Sequence, residues 1–328
     1  LGIGWTHTYN IYAQKITDCN STNPEKLMVV YPDGTNTIFD YTTGNAEGVG
    51  IYDTMTKTAI TGGERLTITT KGQLKYVLEN YNNGKFYFLK SIKDRNNNGV
   101  QCTYDFVNNV YLLKTVQEIS TLGDLGRTLT FSYNSIGKMI QVYDNENNRW
   151  CTFTVTNNDL VNFYDAKNNQ TQYFYDDENN YLKNHLLTEI RLPKGNKIQN
   201  TYEQRKLKIT KTLDQADVVS SSSNVNWAGS YTNSGISSTA SVTDAQNLTT
   251  NFQHNALGNP TSIISPTNTT NFTTYGTGNN ANLPTAVTIN GQNATVQYDN
   301  KGNVTSTTKN NITNTFTYTT FNDIDTYT

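Results

Sequence analysis

The sequence predicts an all-β protein made of antiparallel β-hairpin repeats, each about 20–23 residues long. Three observations support this fold class. A short phrase of an aromatic residue, Asp or Asn, and then Gly or Asn recurs along the chain at even spacing. The chain has 22 Tyr and 12 Phe although only 35% of it is hydrophobic. Aromatic and β-branched residues suit a half-buried strand, and Asn and Gly suit the turns.

The recurring phrase is clearest in "YDNKGNVTST", where Tyr298 and Asp299 precede Gly302. It recurs in "FSYNSIGKMIQV" and, with Asn replacing Gly, in "YDDENNYL". Gly adopts a positive φ without strain, and Asn tolerates it better than other side chains do, so the exchange indicates a tight hairpin turn. The sequence predicts turns at Gly137, Asn180, Gly195, Gly258 and Gly302.

The spacing of the phrase indicates stacked repeats. Tyr298 follows Tyr275 by 23 residues and precedes Tyr318 by 20 residues. Such a period is typical of units that bury apolar surface only against their neighbours. The predicted structural repeat positions are Trp5, Tyr104, Tyr133, Gly137, Tyr175, Asp176, Tyr202, Gly258, Tyr275, Tyr298, Asp299, Gly302 and Tyr318.

Along the chain we predict two regions. Residues 1–88 lack the phrase but contain strand pairs, in "KLMVVYPDGTNTIFDY" and "ERLTITTKGQLKYVLEN", so they form a β-rich N-terminal region. Residues 89–328 form the repeat array. The Ser- and Asn-rich stretch 220–235 interrupts this array, and its composition predicts a loop or an insertion.

Charge and hydropathy exclude several classes of protein. The net charge of −2 provides no basic surface for nucleic acid. No apolar run is long enough for a membrane helix.

Cys19, Cys102 and Cys151 form neither a disulfide framework nor a zinc pattern. The opening "LGIGWTHTYN" has no signal-peptide pattern, and we expect the chain to begin inside a longer protein.

The sequence predicts no enzyme and no cofactor. His7, His185 and His254 are far apart and lie in no nucleophile motif, and the Asp residues lie in turns. The weak metal candidates are Asp94, Asn96, Asn98 and Asp105. Their spacing resembles an EF-hand calcium loop, but the last position lacks Glu and the flanks are strand-like, so an ordinary β-turn is favoured over a calcium site.

Sugar binding is an alternative reading of the aromatic residues. Exposed aromatic rings beside Asn and Asp suit the hydroxyl groups of carbohydrates. The same rings also suit cross-strand packing between repeats, which we favour.

The opening "GIGWTHTYN", the strand pair around "YPDG", the segment "LKSIKDRNNNGVQCTYD" and the tyrosine phrases together resemble the Rhs or YD-repeat family. In that opening, Gly4, Trp5, His7 and Tyr9 match the family pattern. The resemblance covers essentially the whole chain. It implies a long β-sheet that spirals into a hollow shell, as in bacterial polymorphic toxins, insecticidal toxin-complex subunits and teneurins.

The resemblance also implies a function. In the toxin members the shell encloses a C-terminal toxic polypeptide, which an aspartic self-cleavage site releases. This chain lacks the family's Asp-Pro-x-Gly-Leu-like closing motif. We expect a non-catalytic shell segment of a secreted or cell-surface protein, and the resemblance implies a bacterial one. The alternative is an extracellular adhesive or carbohydrate-binding repeat protein without cargo.

The expected partners follow from these two readings. They are the remainder of the same polypeptide, including a closing region and cargo, and cell-surface glycans. Unpaired sheet edges also favour self-association. We expect one such unpaired edge, the C-terminal one, near residues 316–318.

Overall fold

A computed structural model describes the chain except residues 2, 17–25, 49, 82–83, 121–125, 177–184, 233–234 and 321. The described residues form two compact units. The first comprises Leu1–Glu47 and Ile51–Gln172, and the second comprises Gly48–Gly50 and Tyr173–Thr328. Every described strand pairing is antiparallel, which confirms the predicted all-β fold class. Among the described residues, no helix has the length and apolar character needed to cross a membrane.

The strands that begin in the first unit are β1 (Tyr12–Ile16), β2 (Lys26–Val30), β3 (Asn36–Asp40), β4 (Thr54–Ile60), β5 (Gly63–Thr69), β6 (Lys75–Glu79), β7 (Phe86–Lys93), β8 (Gly99–Val107), β9 (Val110–Ile119), β10 (Thr128–Tyr133), β11 (Met139–Asp144), β12 (Arg149–Thr156), β13 (Asp159–Tyr164) and β14 (Gln170–Tyr175).

The strands of the second unit are β15 (Leu187–Arg191), β16 (Lys197–Glu203), β17 (Lys206–Leu213), β18 (Val219–Thr232), β19 (Gly235–Thr243), β20 (Thr249–His254), β21 (Pro260–Ile264), β22 (Thr269–Tyr275), β23 (Pro284–Ile289), β24 (Gln292–Tyr298), β25 (Val304–Lys309), β26 (Ile312–Tyr318) and β27 (Ile324–Tyr327). A 3-10 helix covers Gly278–Asn280.

Strands β1 to β7 form a closed ring. Strand β1 pairs with β2 and β7, β2 pairs with β3, and β4 to β7 pair in succession. Two isolated bridges, Phe39 to Ala46 and Asn45 to Thr54, join β3 to β4 and complete the circuit. The closed ring leaves no open edge between β3 and β4.

The core of the first unit lies inside this ring. The core residues occupy alternate positions along the strands, because successive side chains of a strand point to opposite faces of the sheet. Seven of the fully buried side chains there are Leu27, Val29, Phe39, Leu66, Ile68, Leu78 and Leu89. The predicted strand pairs at 26–41 and 64–80 are therefore confirmed as β2–β3 and β5–β6.

Strand β7 connects the ring to the repeats. Its residues Phe86–Phe88 pair with β1, whereas Ser91–Lys93 pair with β8 along the same edge. This change of partner lies next to the predicted boundary at 88/89. The division of the chain into two domains there stays a prediction, and the boundary between the compact units lies at 172/173.

Beyond β7 each described pairing joins consecutive strands, from β8 to β14 and again from β15 to β27. The predicted turns at Gly137, Gly195, Gly258 and Gly302 are confirmed, because each glycine has a positive φ between two strands. Asn180 lies outside the described residues.

The prediction of a loop at 220–235 is wrong. Strands β18 and β19 pair from Asn224 with Thr243 to Thr232 with Gly235, so this segment is a long hairpin. Ser and Asn lower strand propensity, but a ladder with a complementary neighbour outweighs composition.

The expected sheet edge at 316–318 is also wrong. Phe316, Thr317 and Tyr318 of β26 pair with β27 on one side, and β26 pairs with β25 on the other. Self-association of the protein stays a prediction.

Candidate functional site

The recurring phrase forms one turn geometry throughout the array. At Asp299, carboxylate oxygen Oδ1 accepts hydrogen bonds from the backbone N–H groups of Lys301 at 2.8 Å and Asn303 at 2.9 Å. Gly302 between them has φ of +85°. The ladder shifts register between Gln297 and Tyr298, as expected for a type I turn closed by a bulge.

The same pair of bonds to positions +2 and +4 recurs, with a positive φ at position +3. Its acceptors are Asp94, Asn134, Asp165, Asp214, Asp244, Asn255 and Asp299. At Asp165, the side-chain hydrogen bond from Asn169 and then the backbone N–H groups lower the pKa of the carboxyl. These acidic groups therefore act as turn acceptors.

The tyrosine of the phrase joins one strand to an earlier one. The hydroxyl of Tyr298 donates to the carbonyl of Pro284 at 2.8 Å, and that of Tyr318 donates to Val304 at 2.8 Å. Three further tyrosines make the equivalent bond: Tyr133 to Leu113, Tyr202 to Leu187 and Tyr275 to Pro260. We call these five contacts the tyrosine seams. They connect residues 14 to 20 positions apart.

Asparagine side chains join successive turns of the second unit. The Asn303 side-chain amide, 6% exposed, donates to Asn322 Oδ1 at 3.3 Å, and Asn290 donates to Asn268 Oδ1 at 2.8 Å. The Asn259 amide donates to Asn282 Oδ1 at 3.1 Å. From the sequence, Asn was expected only to form turns. Asn259 and Asn303 directly follow the turn glycines Gly258 and Gly302, and this recurrence was the available signal for a second role.

The remaining predicted repeat positions do not all form seams. Tyr104 packs on Phe88, with ring centroids 5.7 Å apart, and burial raises its pKa. Trp5 lines a cavity in the first unit. Tyr175 ends β14, and the backbone N–H of Asp176 donates to the carbonyl of Leu186 at 3.0 Å.

The weak metal candidates lie in an ordinary turn of the array. Asp94 Oδ1 accepts hydrogen bonds from the N–H groups of Asn96 at 2.8 Å and Asn98 at 2.9 Å, as the other six recurring acceptors do from their own turns. Asp105 forms an exposed ion pair with Lys114 at 3.0 Å. Both carboxylates therefore have protein partners. The preference for a turn over a calcium site stays a prediction.

A polar cluster inside the first unit was missed. Glu64 Oε2 accepts hydrogen bonds from the hydroxyls of Tyr41, at 2.8 Å, and Tyr87. Lys15 Nζ lies 3.9 Å from the same oxygen. Burial, and then the bond to Glu64, raises the pKa of Tyr87. No local sequence pattern links these residues, because they come from separate strands of the ring.

Two cavities lie in the first unit. The larger, about 730 Å³, is lined by Glu118, Arg127, Asp144 and Glu146, and Arg127 pairs with Glu118 at 2.8 Å and Glu146 at 3.5 Å. The smaller, about 250 Å³, is lined mainly by aromatic residues and His7. Burial lowers the pKa of His7 to about 4.

The cysteines show no activation. Burial raises the pKa of Cys102 to about 12, so that thiol stays protonated at neutral pH. Burial also raises the pKa of the half-buried Cys151. Cys19 lies outside the described residues.

Among known proteins, the chain matches solved structures only. No protein-family model matches the chain, and no curated protein matches it. Among solved structures, a crystal structure of TcdB2-TccC3-TEV aligns with 89% of the chain at 11% identity and a TM-score of 0.37. The Tc holotoxin pore of Photorhabdus luminescens aligns with 94% of the chain at 12% identity and a TM-score of 0.32. The chain spans 19% and 18% of those two chains, respectively.

Proposed function

We propose that this chain is a non-catalytic wall segment of an Rhs or YD-repeat protein, whose shell encloses a C-terminal toxin or effector in related proteins. The observation that carries the proposal is the set of tyrosine seams. Each links a hairpin to an earlier strand through a backbone carbonyl, whatever residue provides that carbonyl. A bond of this kind serves a continuous wall, because it depends on the position of the strand and not on its side chain.

The turn geometry supports the same proposal. An isolated two-stranded hairpin is at best marginally stable in water. Here each turn satisfies its own backbone groups, and the asparagine contacts tie one turn to the next. Stability in such an array is the sum of small repeat and interface terms. A sheet can be extended in this way without a large apolar core.

The proposal includes no enzymatic role. The carboxylates of the recurring turns are used as acceptors for backbone N–H groups, and the raised pKa of Cys102 disfavours a thiolate nucleophile. The partners in this proposal are a closing region and a cargo elsewhere in the same polypeptide. The expected location is outside a bacterial cell or on its surface.

Protease protection of the full-length polypeptide tests the wall function. If the wall encloses a cargo, the sequence that follows residue 328 in the intact protein resists a non-specific protease until urea unfolds the repeats. The same sequence expressed alone is digested rapidly. Equal digestion rates in the two settings would contradict enclosure.

A variant with two substitutions and a matched control variant test whether the tyrosine seams are responsible for that protection. Replacing Tyr298 and Tyr318 by Phe removes two seam hydroxyls and is expected to lower the urea concentration at which protection is lost. Tyr327→Phe is the matched control, because Tyr327 is 64% exposed and its hydroxyl donates to the side chain of Asn314 at 3.2 Å instead of to a backbone carbonyl. An equal effect from the control would remove the seams as the cause.

A further inference from the structure

The smaller cavity of the first unit is the size of a single sugar ring. It lies between the segment containing Trp5, His7 and Asn10 and the strands β7, β8 and β9. Its volume is about 250 Å³. Pockets for drug-sized ligands span roughly 300–1,000 Å³, so this cavity suits a smaller group.

The described side chains that line this cavity are uncharged, although Leu1, which bears the α-amino group, is among the lining residues. Among the described residues that line it, none has an Asp, Glu, Lys or Arg side chain. The larger cavity of the same unit, in contrast, has three carboxylates and Arg127 in its lining. A charged ligand that leaves water requires a countercharge, so the smaller cavity favours a neutral ligand.

His7 provides an unused polar atom in this cavity. Its Nδ1 is buried and has no hydrogen-bond partner within the described part of the chain. Burial lowers the pKa of His7, which leaves the imidazole neutral at pH 7. Each nitrogen of a neutral imidazole either donates or accepts a hydrogen bond, and a hydroxyl group can do both. A ligand hydroxyl therefore satisfies Nδ1 in either tautomer.

A row of aromatic rings extends from the cavity to the exposed side chain of Phe106. Phe88, Tyr104 and Tyr111 line the cavity. The ring centroid of Tyr111 lies 5.1 Å from that of Phe88 and 4.7 Å from that of Phe106, which is 58% exposed. The faces of these rings are electron-rich and attract the weakly positive C–H groups of a pyranose ring.

We propose that this cavity binds one neutral pyranose residue of a glycan, with its C–H face against Phe88 and Tyr111 and a hydroxyl bonded to His7 Nδ1. The rest of the glycan leaves the cavity past Phe106. The site does not rest on the wall function, because His7, Phe88 and Tyr111 form no tyrosine seam, although Tyr133 of one seam also lines the cavity.

Saturation-transfer NMR with neutral methyl glycosides of glucose, galactose, mannose and N-acetylglucosamine tests the site. At least one glycoside is expected to bind. His7→Phe keeps the ring packed on Phe131, whose centroid lies 5.9 Å away, but removes the nitrogen. Losing one hydrogen bond or one stacking ring is expected to weaken binding by about tenfold, in His7→Phe and in Tyr111→Ala.

Two further variants complete this test, one as a control and one as a substitute for Tyr111→Ala. Trp150→Ala removes an aromatic side chain, 51% exposed, that does not line the cavity, and is expected to leave binding unchanged. If Tyr111→Ala changes the far-UV spectrum, Phe106→Ala replaces it, because Phe106 is mostly exposed. The absence of binding to every glycoside, or full affinity in His7→Phe, would overturn the site.

Discussion

The tyrosine hydroxyl at the end of a strand is the smallest structural unit of the array. In each seam a tyrosine lies at or next to the C-terminal end of its strand, and the structure shows what its hydroxyl adds. In Tyr298 and Tyr318 it donates to the carbonyl of a residue 14 positions earlier. Phe could fill the same space, but only Tyr satisfies that carbonyl.

Replacing Tyr298 by Phe tests this contribution directly. A hydrogen bond of this kind contributes about 1 kcal/mol to stability, so the urea unfolding midpoint is expected to fall by the corresponding amount. Tyr327→Phe, at an exposed position, is expected to change the free energy of unfolding much less. Indistinguishable midpoints for Tyr298→Phe and the unaltered protein would show that the seam contributes nothing.

At a turn glycine with open space around it, the cost of backbone strain can be measured without a change in side-chain packing. Gly258 has φ of +81°, and a Cβ added there would meet no heavy atom within 4 Å. Gly258→Ala is therefore expected to cost about 1–2 kcal/mol through the backbone alone. Gly258→Asn is expected to cost less, since Asn tolerates this conformation. Chemical denaturation measures both, and an Asn variant as unstable as the Ala variant would contradict the turn argument.

His7 makes stability depend on pH in a defined window. Burial lowers its pKa to about 4 from the ordinary value of 6.5, so the unfolded chain binds the proton more readily than the folded chain. Its contribution is complete above pH 6.5 and is lost as pH falls toward 4. Melting temperatures from pH 7 to pH 4 are expected to fall less in His7→Phe than in the unaltered protein. Parallel curves would rule out His7 as a source of this dependence.

In the strands and turns of the array, many polar side chains form hydrogen bonds with backbone groups. Each acidic or amide acceptor closes its own turn, and asparagines such as Asn303 connect that turn to the next. The long hairpin of β18 and β19 follows the same antiparallel pairing despite its Ser-rich sequence. Its composition misled the prediction because strand formation depends on the neighbouring strand as much as on the residue.

Calcium titration tests the turn at Asp94. The carboxylate already accepts two backbone N–H groups, as Asp165 does in an equivalent turn. We expect Asp94→Ala and Asp165→Ala to lower the melting temperature by similar amounts, with and without calcium. A ligand that binds only the folded state raises its stability. A calcium-dependent rise that disappears only in Asp94→Ala would establish a metal site there.

At the scale of the whole molecule, the two units are stabilised differently. The first unit encloses an apolar core in the ring of β1 to β7. In the second unit, Leu213 is the last buried apolar side chain among the described residues, and the buried groups after it are Asn259, Ser262 and Asn303. Hydrophobic burial therefore dominates in the first unit, whereas hydrogen bonds between repeats have a larger share in the second.

Hydrogen exchange measured by mass spectrometry tests this difference. The slowest amides are expected in β2, β5 and β7, whose side chains include several that are fully buried. Strand amides of β23 to β26 are expected to exchange faster, because local opening there exposes little apolar surface. Uniform protection across these strands would show that the polar contacts stabilise the array as well as the apolar core does.

The fold class, the turns and the strand pairs at 26–41 and 64–80 could all be predicted from the sequence. These features depend on interactions within a few residues, such as the bonds from Lys301 and Asn303 to Asp299, so a short phrase contains all their parts. The spacing of the phrase also indicated that hairpins follow one another. The seams' tyrosines were identified as repeat positions for the same reason.

Which residues meet across strands could be learned only from the three-dimensional structure. Closure of the ring through Phe39 and Ala46, the cluster around Glu64 and the environment of His7 Nδ1 all join residues that no local pattern relates. The length of β18 likewise follows from its ladder with β19. Pairing register sets these contacts, and register depends on the combined packing and hydrogen bonding of whole strands.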